Sequence, residues 1–338
     1  MRPAEILGRA ILPQVMLGVR HGVSLDEAAA LGLDAGSVGA RDVMVGADAV
    51  YAHLELVASR APFERYVVEL ATSTTVGALG PVGLGLRAHA DARHALAWFS
   101  RYQSLVNTLT VVDTLEIDGV GTYLEHRLGP PRPGSLLATE VALMTAIHLW
   151  RDLGPRDFRP RRVRIRRKDA DAAIYETFAG APVVTGADQG SFEFDAAALD
   201  HPLRGGDDEL LKFLDEILEE RRSVAARSPA LILSVRRALM ALLADGPPTL
   251  EAVARRLSMS GRTLQRRLAE DGVAFADVVD SVRSALARAY LEKADLSGSE
   301  IALMLGYTEQ SSFSRAFRRW FGTSPAQFRA RGARVEER

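Results

Sequence analysis

Arginine, glutamine and serine recur in the last third of the chain at spacings that place them together on helix faces. Arg262, Gln265 and Arg266 form one such group, and Gln310, Ser311, Ser314 and Arg315 form another. Arginine and glutamine can pair bidentately with guanine or adenine edges in a DNA major groove, and serine is a more permissive partner. Arg255, Arg256, Arg267, Arg318 and Arg319 suit phosphate contact, which adds affinity but reads little sequence. The opposite faces are apolar. At about 100° per residue, Leu264 and Leu268 define the buried side of one helix, and Phe313, Ala316, Phe317 and Trp320 that of the other.

The elements that would carry these rows read as helices at 230–244, 249–257, 261–270, 275–293, 299–305, 310–321 and 325–331, with no strand pattern among them. Thr249, Ser260, Ser297 or Ser299, Thr308 and Ser324 stand at cap positions, and Ser228-Pro229 gives a cap followed by a first-turn proline. Ser297 with Glu300, and Ser324 with Gln327, fit the reciprocal capping box. Two segments repeat one pattern at an offset of 48 residues from Ala254 to Ala302: alanine, leucine, a short turn, a capping hydroxyl and an apolar pair four apart. The second turn is one residue longer. This is the grammar of two helix-turn-helix motifs, at about 249–270 and 299–321. The linking helix carries Phe275, Val278, Val279, Val282, Leu286, Ala289 and Tyr290 as one apolar stripe. Its length of roughly 28 Å approaches the roughly 34 Å of one DNA turn, so one chain could reach two successive major grooves.

Residues 230–330 resemble the C-terminal DNA-binding domain of the AraC/XylS family of bacterial transcription regulators. The stretch from Ile301-Ala-Leu-Met-Leu-Gly-Tyr through Trp320-Phe-Gly-Thr-Ser-Pro to Arg329 carries the resemblance, with Met259-Ser-Gly-Arg-Thr-Leu-Gln-Arg-Arg-Leu268 beside it. The resemblance implies base reading by Arg262, Gln265, Arg266, Gln310, Ser311, Ser314 and Arg315, the set reached above from helix faces. Leu96-Ala-Trp-Phe-Ser-Arg-Tyr102, Phe178-Ala-Gly-Ala-Pro-Val-Val184 and Ala198-Leu-Asp-His-Pro-Leu203 are similar to the effector domain of one AraC-type subgroup, which includes regulators of ornithine use and of mycobacterial virulence or lipid genes. That likeness implies a helical start and a mixed α/β sensor in place of a jelly roll. The subgroup shows Phe-Gly before its Pro-Val, whereas Ala179 intervenes here.

The first 225 residues read as α+β. The first sixty are helical, with Ser24 capping 25–31 and a helix over 43–60. Residues 77–85 are glycine-rich and read as turns. A helix follows over 90–108. Strands at 110–117 and 121–128 flank Asp118-Gly119, a hairpin signal. Pro130 to Pro133 punctuates the chain before a helix over 136–153. Residues 161–167 alternate as a strand, with short strands near 183–184 and 191–194. Residues 219–227 are charged and read as a linker or the end of a helix. The fold class is therefore an α+β effector-binding or dimerisation domain (1–225), with a helical start and mixed sheet, followed by an all-α seven-helix DNA-binding domain (226–338).

Other chemistries find less support. Seven of the ten residues from Arg159 to Lys168 are basic. Arg162, Arg164 and Arg166, with Trp98 and Tyr102 nearby in type, form a candidate effector or anion site. Extra DNA contact is a second reading, and an exposed strand blunted by charge against edge pairing is the favoured one. Trp98, Phe99 and Tyr102 read more readily as core than as pocket. His89 and His94 lack a third metal ligand. The glycine-rich stretch lacks the Gly-Lys-Ser/Thr of a phosphate loop, and no supported nucleophile and base pair occurs.

The 338 residues are 47% hydrophobic and 25% charged, the balance of a globular chain of about two domains. With no cysteine, disulfides, thiolate metal sites and cysteine nucleophiles are excluded. No apolar run approaches the roughly 18 residues of a membrane helix, and residues 1–22 do not read as a signal peptide, so a cytoplasmic, nucleoid-associated location is expected. Residues 254–338 hold 15 Lys and Arg against 10 Asp and Glu, and residues 1–253 hold 27 against 33. A basic tail on an acidic body suggests a polyanion partner. The expected function is a one-component transcription regulator that binds double-stranded promoter DNA. It would have no cofactor, an unidentified small-molecule effector, RNA polymerase as partner if it activates, and dimerisation optional. The alternative is a ligand carrier or enzyme with an appended helical bundle, though no catalytic constellation supports the enzyme. An architectural DNA binder would need no such α+β half.

Overall fold

The structure, a computed structural model, describes residues 5–40, 43–127, 132–225, 229–243, 246–270, 273–291 and 296–336. The chain folds as two compact units, residues 2–225 and 226–338.

The first unit opens with β1 (Glu5–Leu7) and α1 (Gly8–Arg20), then α2 (Leu25–Ala30), α3 (Ala35–Val38), β2 (Met44–Gly46), α4 (Ala47–Ala58), α5 (Phe63–Ser73), α6 (Pro81–Ala88) and α7 (Ala92–Tyr102). Ser24 and Glu27 cap α2 reciprocally. A hairpin of β3 (Thr110–Ile117) and β4 (Val120–Arg127) follows, then α8 (Pro133–Leu153), β5 (Arg162–Arg164), α9 (Ala172–Ala179), β6 (Val183–Val184), β7 (Gly190–Asp195) and α10 (Asp208–Ala225). The hairpin turns through Asp118 at φ 48° and Gly119 at φ 76°, the left-handed pair that matches strand twist. The main sheet has the order β3-β4-β7-β5-β6, parallel only between β5 and β6. β1 and β2 form a separate antiparallel pair.

α8 is apolar on most of its circumference because it is buried between α4 and α5 on one side and β4 and β7 on the other. Trp150 on α8 stacks on Phe158 at 4.7 Å between ring centroids and meets Phe194 at 4.7 Å. α10 packs on α6, where Leu214 and Leu218 join Val82, Trp98 and Tyr102 in a second cluster.

Several expectations are corrected here. The apolar run from Val43 to Arg60 splits into β2 and α4, because Ile6 and Leu7 pair with Val45 and Met44 across the chain. The glycine-rich stretch contains a short 3-10 turn (Val76–Leu79) and then α6, with Pro81 in its first turn. Its glycines serve close packing. A Cβ at Gly85 would lie 1.8 Å from the Trp98 ring, and one at Gly83 would lie 1.9 Å from the Val76 carbonyl oxygen. β5 is shorter than the alternation suggested and lies between β7 and β6, so its arginines blunt no edge. α9 is not among the expected elements, although Asp171 caps its start and the left-handed Gly180 ends it. Residues 219–225 continue α10, and 226–227 lie outside the described residues.

The second unit contains α11 (Pro229–Leu243), α12 (Leu250–Arg256), α13 (Gly261–Glu270), α14 (Phe275–Leu291), α15 (Gly298–Met304), α16 (Gln310–Phe321) and α17 (Pro325–Glu336). Thr249 and Ser260 accept the backbone N–H groups of Ala252 and Thr263, at 3.1 Å each. Ser297 and Glu300 form a capping box, as do Ser324 and Gln327. Thr308 is not a cap: α16 begins after Glu309, with no side-chain cap. Ser228 lies outside the described residues, and so does the side chain of Ala289 in the α14 stripe.

Candidate functional site

Two helix pairs, α12 with α13 and α15 with α16, share one local geometry. The Met259 N–H donates to the Ala254 carbonyl at 2.9 Å, and the Tyr307 N–H donates to the Ala302 carbonyl at 2.9 Å. The residues before these donors, Ser258 and Gly306, have φ of 56° and 72°. The left-handed residue reverses the chain at the end of the first helix of each pair. Ala254 and Ala302 are buried beneath the crossings. A serine takes the strained position in the first pair. In the second, a Cβ at Gly306 would stand 2.7 Å from the Gly246 carbonyl oxygen.

The apolar faces anchor the second helix of each pair. Leu264, Leu268, Phe313, Ala316 and Phe317 are buried, whereas Trp320 is only half-buried. Phe317 meets Phe313, Phe321 and Phe328 with ring centroids 5.7, 4.4 and 5.4 Å away. Opposite these anchors Arg262, Gln265, Arg266, Gln310, Ser311 and Arg315 are exposed and Ser314 is half-buried. Arg255, Arg256, Arg267, Arg318 and Arg319 are exposed as well. Arg266 pairs with Glu270 at 2.6 Å, Arg315 donates to Ser312 at 3.0 Å, and Ser311 donates to Glu309 at 3.0 Å. Such exposed contacts are worth about 0–1 kcal/mol each, so these side chains remain available to a ligand.

Sequence reasoning missed two tethers from α14. Arg283 donates to the carbonyls of Leu305 at 2.9 Å and Gly306 at 3.2 Å, and covers the Tyr307 ring at 4.3 Å. It therefore fixes the turn between α15 and α16. Asp280 pairs with Arg319 at 2.6 Å. Both contacts cross more than twenty positions of sequence, so helical periodicity carries no trace of them.

The unit of residues 2–225 contains a pocket of about 250 Å³, half open to solvent and bounded by α1, α5, α7, α8, β3 and β4. Its wall is mostly apolar, with Leu70, Phe99, Val112 and Leu149 prominent, and Gln14, Glu125 and Arg127 supply polar groups. Trp98 and Tyr102 lie elsewhere. α7 turns Leu96, Phe99 and Gln103 to the cavity, while the Trp98 indole N–H and the Tyr102 hydroxyl donate to Asp215 of α10 at 3.0 and 2.6 Å. Burial, followed by the hydrogen bond to Asp215, pushes the Tyr102 hydroxyl well above its ordinary range.

The basic run does not line the cavity either. Arg164 is buried against Glu193, Arg167 pairs with Glu64 and Glu140, and Arg161 reaches Asp195 at 3.5 Å. Arg162 and Arg166 are half-buried beside them. Carboxylates of the sheet and helices thus neutralise much of the run, and the structure does not gather the five proposed effector residues into one site. His94 contacts Asp91 at 2.8 Å, and no group of three or more His, Cys, Asp or Glu residues that could hold a metal occurs among the described residues. No helix among the described residues is long and apolar enough to cross a membrane.

Residues 22–203 match the family model described as the arabinose-binding N-terminal domain of AraC transcription regulators, and residues 253–331 match a helix-turn-helix domain model. The chain is 34% identical over 286 residues to the HTH-type transcriptional regulator VirS of Mycobacterium tuberculosis, covering 82% of each protein. It is 46% identical over 99 residues to the ornithine utilization regulator of Pseudomonas aeruginosa, 29% of each chain. The crystal structure of the transcriptional regulator CdpR from Pseudomonas aeruginosa is similar at 23% identity and a TM-score of 0.44, covering 82% of this chain and 90% of that one. With a matching N-terminal model, a helix-turn-helix region and a relative of this kind matched over most of both chains, the chain belongs to the AraC family of DNA-binding transcription regulators.

Proposed function

We propose that this regulator reads promoter DNA with two helix-turn-helix units in one chain, placing α13 and α16 in successive major grooves. The observation that carries the reading is the repeated backbone turn, Ala254 to Met259 and Ala302 to Tyr307, each followed by a helix with an apolar anchor and an exposed polar row. Arg262, Gln265 and Arg266 would read one block of bases, and Gln310, Ser311, Ser314 and Arg315 the other. Arg255, Arg256, Arg267, Arg318 and Arg319 would hold phosphates. The unit of residues 2–225 would sense a small molecule in its half-open pocket. A ligand acts there only by binding the DNA-competent and incompetent states with different affinity.

Selection of random duplex DNA by the purified full chain tests the reading. Two enriched blocks about one helical turn apart are expected, with Arg266→Ala relaxing one block and Arg315→Ala the other. A single block, relaxed by both substitutions, would overturn the two-unit reading.

A further inference from the structure

We propose that the two helix-turn-helix motifs hold DNA unequally. The α12–α13 pair is the anchor, supplying most of the phosphate neutralisation and most of the base discrimination, and the α15–α16 pair reads a short block centred on Arg315. The inference rests on the two-motif reading above and assigns each motif its share. The repeat aligns the first helices at an offset of 48 residues, Ala254 with Ala302. It aligns the second helices at 49, Leu264 with Phe313 and Leu268 with Phe317, because the second turn is one residue longer. Each position of one motif thus has a counterpart in the other.

The positions assigned to phosphates differ first. Arg255 and Arg256, exposed at the end of α12, have Leu303 and Met304 as counterparts on α15. These two are also exposed, Leu303 to 72%, and neither can neutralise a phosphate. Ser260 caps α13 by accepting from the Thr263 N–H at 3.1 Å. Its counterpart Glu309 caps nothing with its side chain and instead accepts from the Ser311 hydroxyl at 3.0 Å. That exposed carboxylate stands at the start of α16, where it repels a polyanion. Residues 249–270 hold five arginines and two glutamates, and residues 299–321 hold three and two. Of those three arginines, Arg319 is already paired with Asp280.

The base-reading rows differ in the same sense. Arg262, Gln265 and Arg266 of α13 have Ser311, Ser314 and Arg315 as counterparts on α16. Arginine and glutamine select guanine or adenine through two hydrogen bonds at once, whereas a serine hydroxyl pairs with several base edges. Serine is also shorter, Ser314 is half-buried, and the Ser311 hydroxyl hydrogen is already given to Glu309. Gln310, the remaining residue of the row, lies back over α15: a Cβ on Gly298 would stand 2.6 Å from its Nε2. The long cationic reader of α16 is therefore Arg315, which donates to Ser312 of its own helix at 3.0 Å.

Selection of random duplex DNA by the full chain and its variants, with affinity measured over a salt series, tests the division. The α13 block is expected to specify more base positions than the α16 block. Arg262→Ala and Gln265→Ala should each relax a different position, whereas Ser311→Ala and Ser314→Ala should leave the α16 block as it is. Arg255→Gln combined with Arg256→Gln, which keeps helix propensity, should weaken all duplexes alike and reduce the slope of log affinity against log salt by about 1.8. Leu303→Gln combined with Met304→Gln, the same change at the counterpart positions, should alter neither slope nor affinity. Two blocks of equal breadth, an α16 block relaxed by either serine variant, an unchanged slope in the α12 double variant, or an equal loss in the α15 double variant overturns the proposal while leaving two blocks in place. A single block relaxed by both Arg266→Ala and Arg315→Ala is a separate failure, which removes the two-motif reading and this division with it.

Discussion

The guanidinium of Arg283 lies 4.3 Å from the Tyr307 ring centroid and donates to the Leu305 carbonyl at 2.9 Å. One side chain of the linking helix thus satisfies the end of α15 and presses on the residue that leads into α16. Arg283→Ala removes two charge-assisted hydrogen bonds and a cation–π contact, and should destabilise the 226–338 unit by about 1–3 kcal/mol. Arg283→Lys should recover only part of this, because an ammonium cannot reproduce the planar fork. In DNA protection experiments the block assigned to α16 should weaken while the α13 block persists. Equal weakening of both blocks would show that Arg283 serves the whole unit instead of this turn.

The paired left-handed residues give a second expectation. Gly306→Ala places a Cβ 2.7 Å from the backbone oxygen of Gly246, at φ 72°. Backbone cannot yield as a side chain can, so the loss should exceed the roughly 1–2 kcal/mol of a left-handed alanine alone. Gly322→Ala, at φ 66° with nothing within 4 Å of its Cβ, should show only that smaller cost. Ser258→Gly, which relieves a serine at φ 56°, should stabilise by up to about 1 kcal/mol. Thermal denaturation of the three variants would rank them, and a Gly322→Ala loss as large as that of Gly306→Ala would remove the steric argument.

Local signals made the second unit legible. Thr249, Ser260, Ser297 and Ser324 cap where their types suggest, and Leu264, Leu268, Phe313 and Phe317 bury as helical spacing requires. The first unit hid its logic in contacts distant in sequence. Gly85 resembles a turn residue until Trp98, thirteen positions on, is seen to occupy the missing side chain's space. Arg164 resembles a surface cation until Glu193 of the neighbouring strand is placed beside it. The cavity wall draws Gln14, Glu125 and Trp150 from three separate elements, and no spacing rule links them.

One buried and two half-buried histidines set a pH response. Burial holds His53, His89 and His148 below the ordinary imidazole range. In the unfolded chain each takes up a proton near pH 6.5, whereas in the folded chain each stays neutral to lower pH. The unfolded state therefore binds more protons as pH falls below about 6.5, and stability is lost in that direction. The melting temperature should fall between about pH 7.5 and about pH 5.5, before most carboxylates titrate. His53, fully buried with Nε2 3.3 Å from the Gln14 carbonyl oxygen, should contribute most, and His53→Leu should flatten the curve. A flat wild-type profile over that window would contradict this account.

Arg266 and Arg319 carry the same charge and the same exposure, yet their positions assign them different work. Arg266 lies on the exposed row of α13, tethered only to Glu270 on its own helix, whereas Arg319 sits in the last turn of α16 against Asp280 of α14. A base reader on the exposed row supplies discrimination, so Arg266→Ala should cost about 1–3 kcal/mol on the preferred site and relax one base position, with little change in salt dependence. A phosphate contact supplies counterion release. Arg319→Ala should weaken all duplexes alike and reduce the slope of log affinity against log salt by about 0.9. Asp280→Asn should act oppositely, freeing Arg319 and raising affinity without altering sequence preference. Binding measured on matched and mismatched duplexes over a salt series separates the two roles. If Arg319→Ala relaxes a base position while Arg266→Ala changes only the slope, α16 and α13 meet DNA through faces other than those assigned.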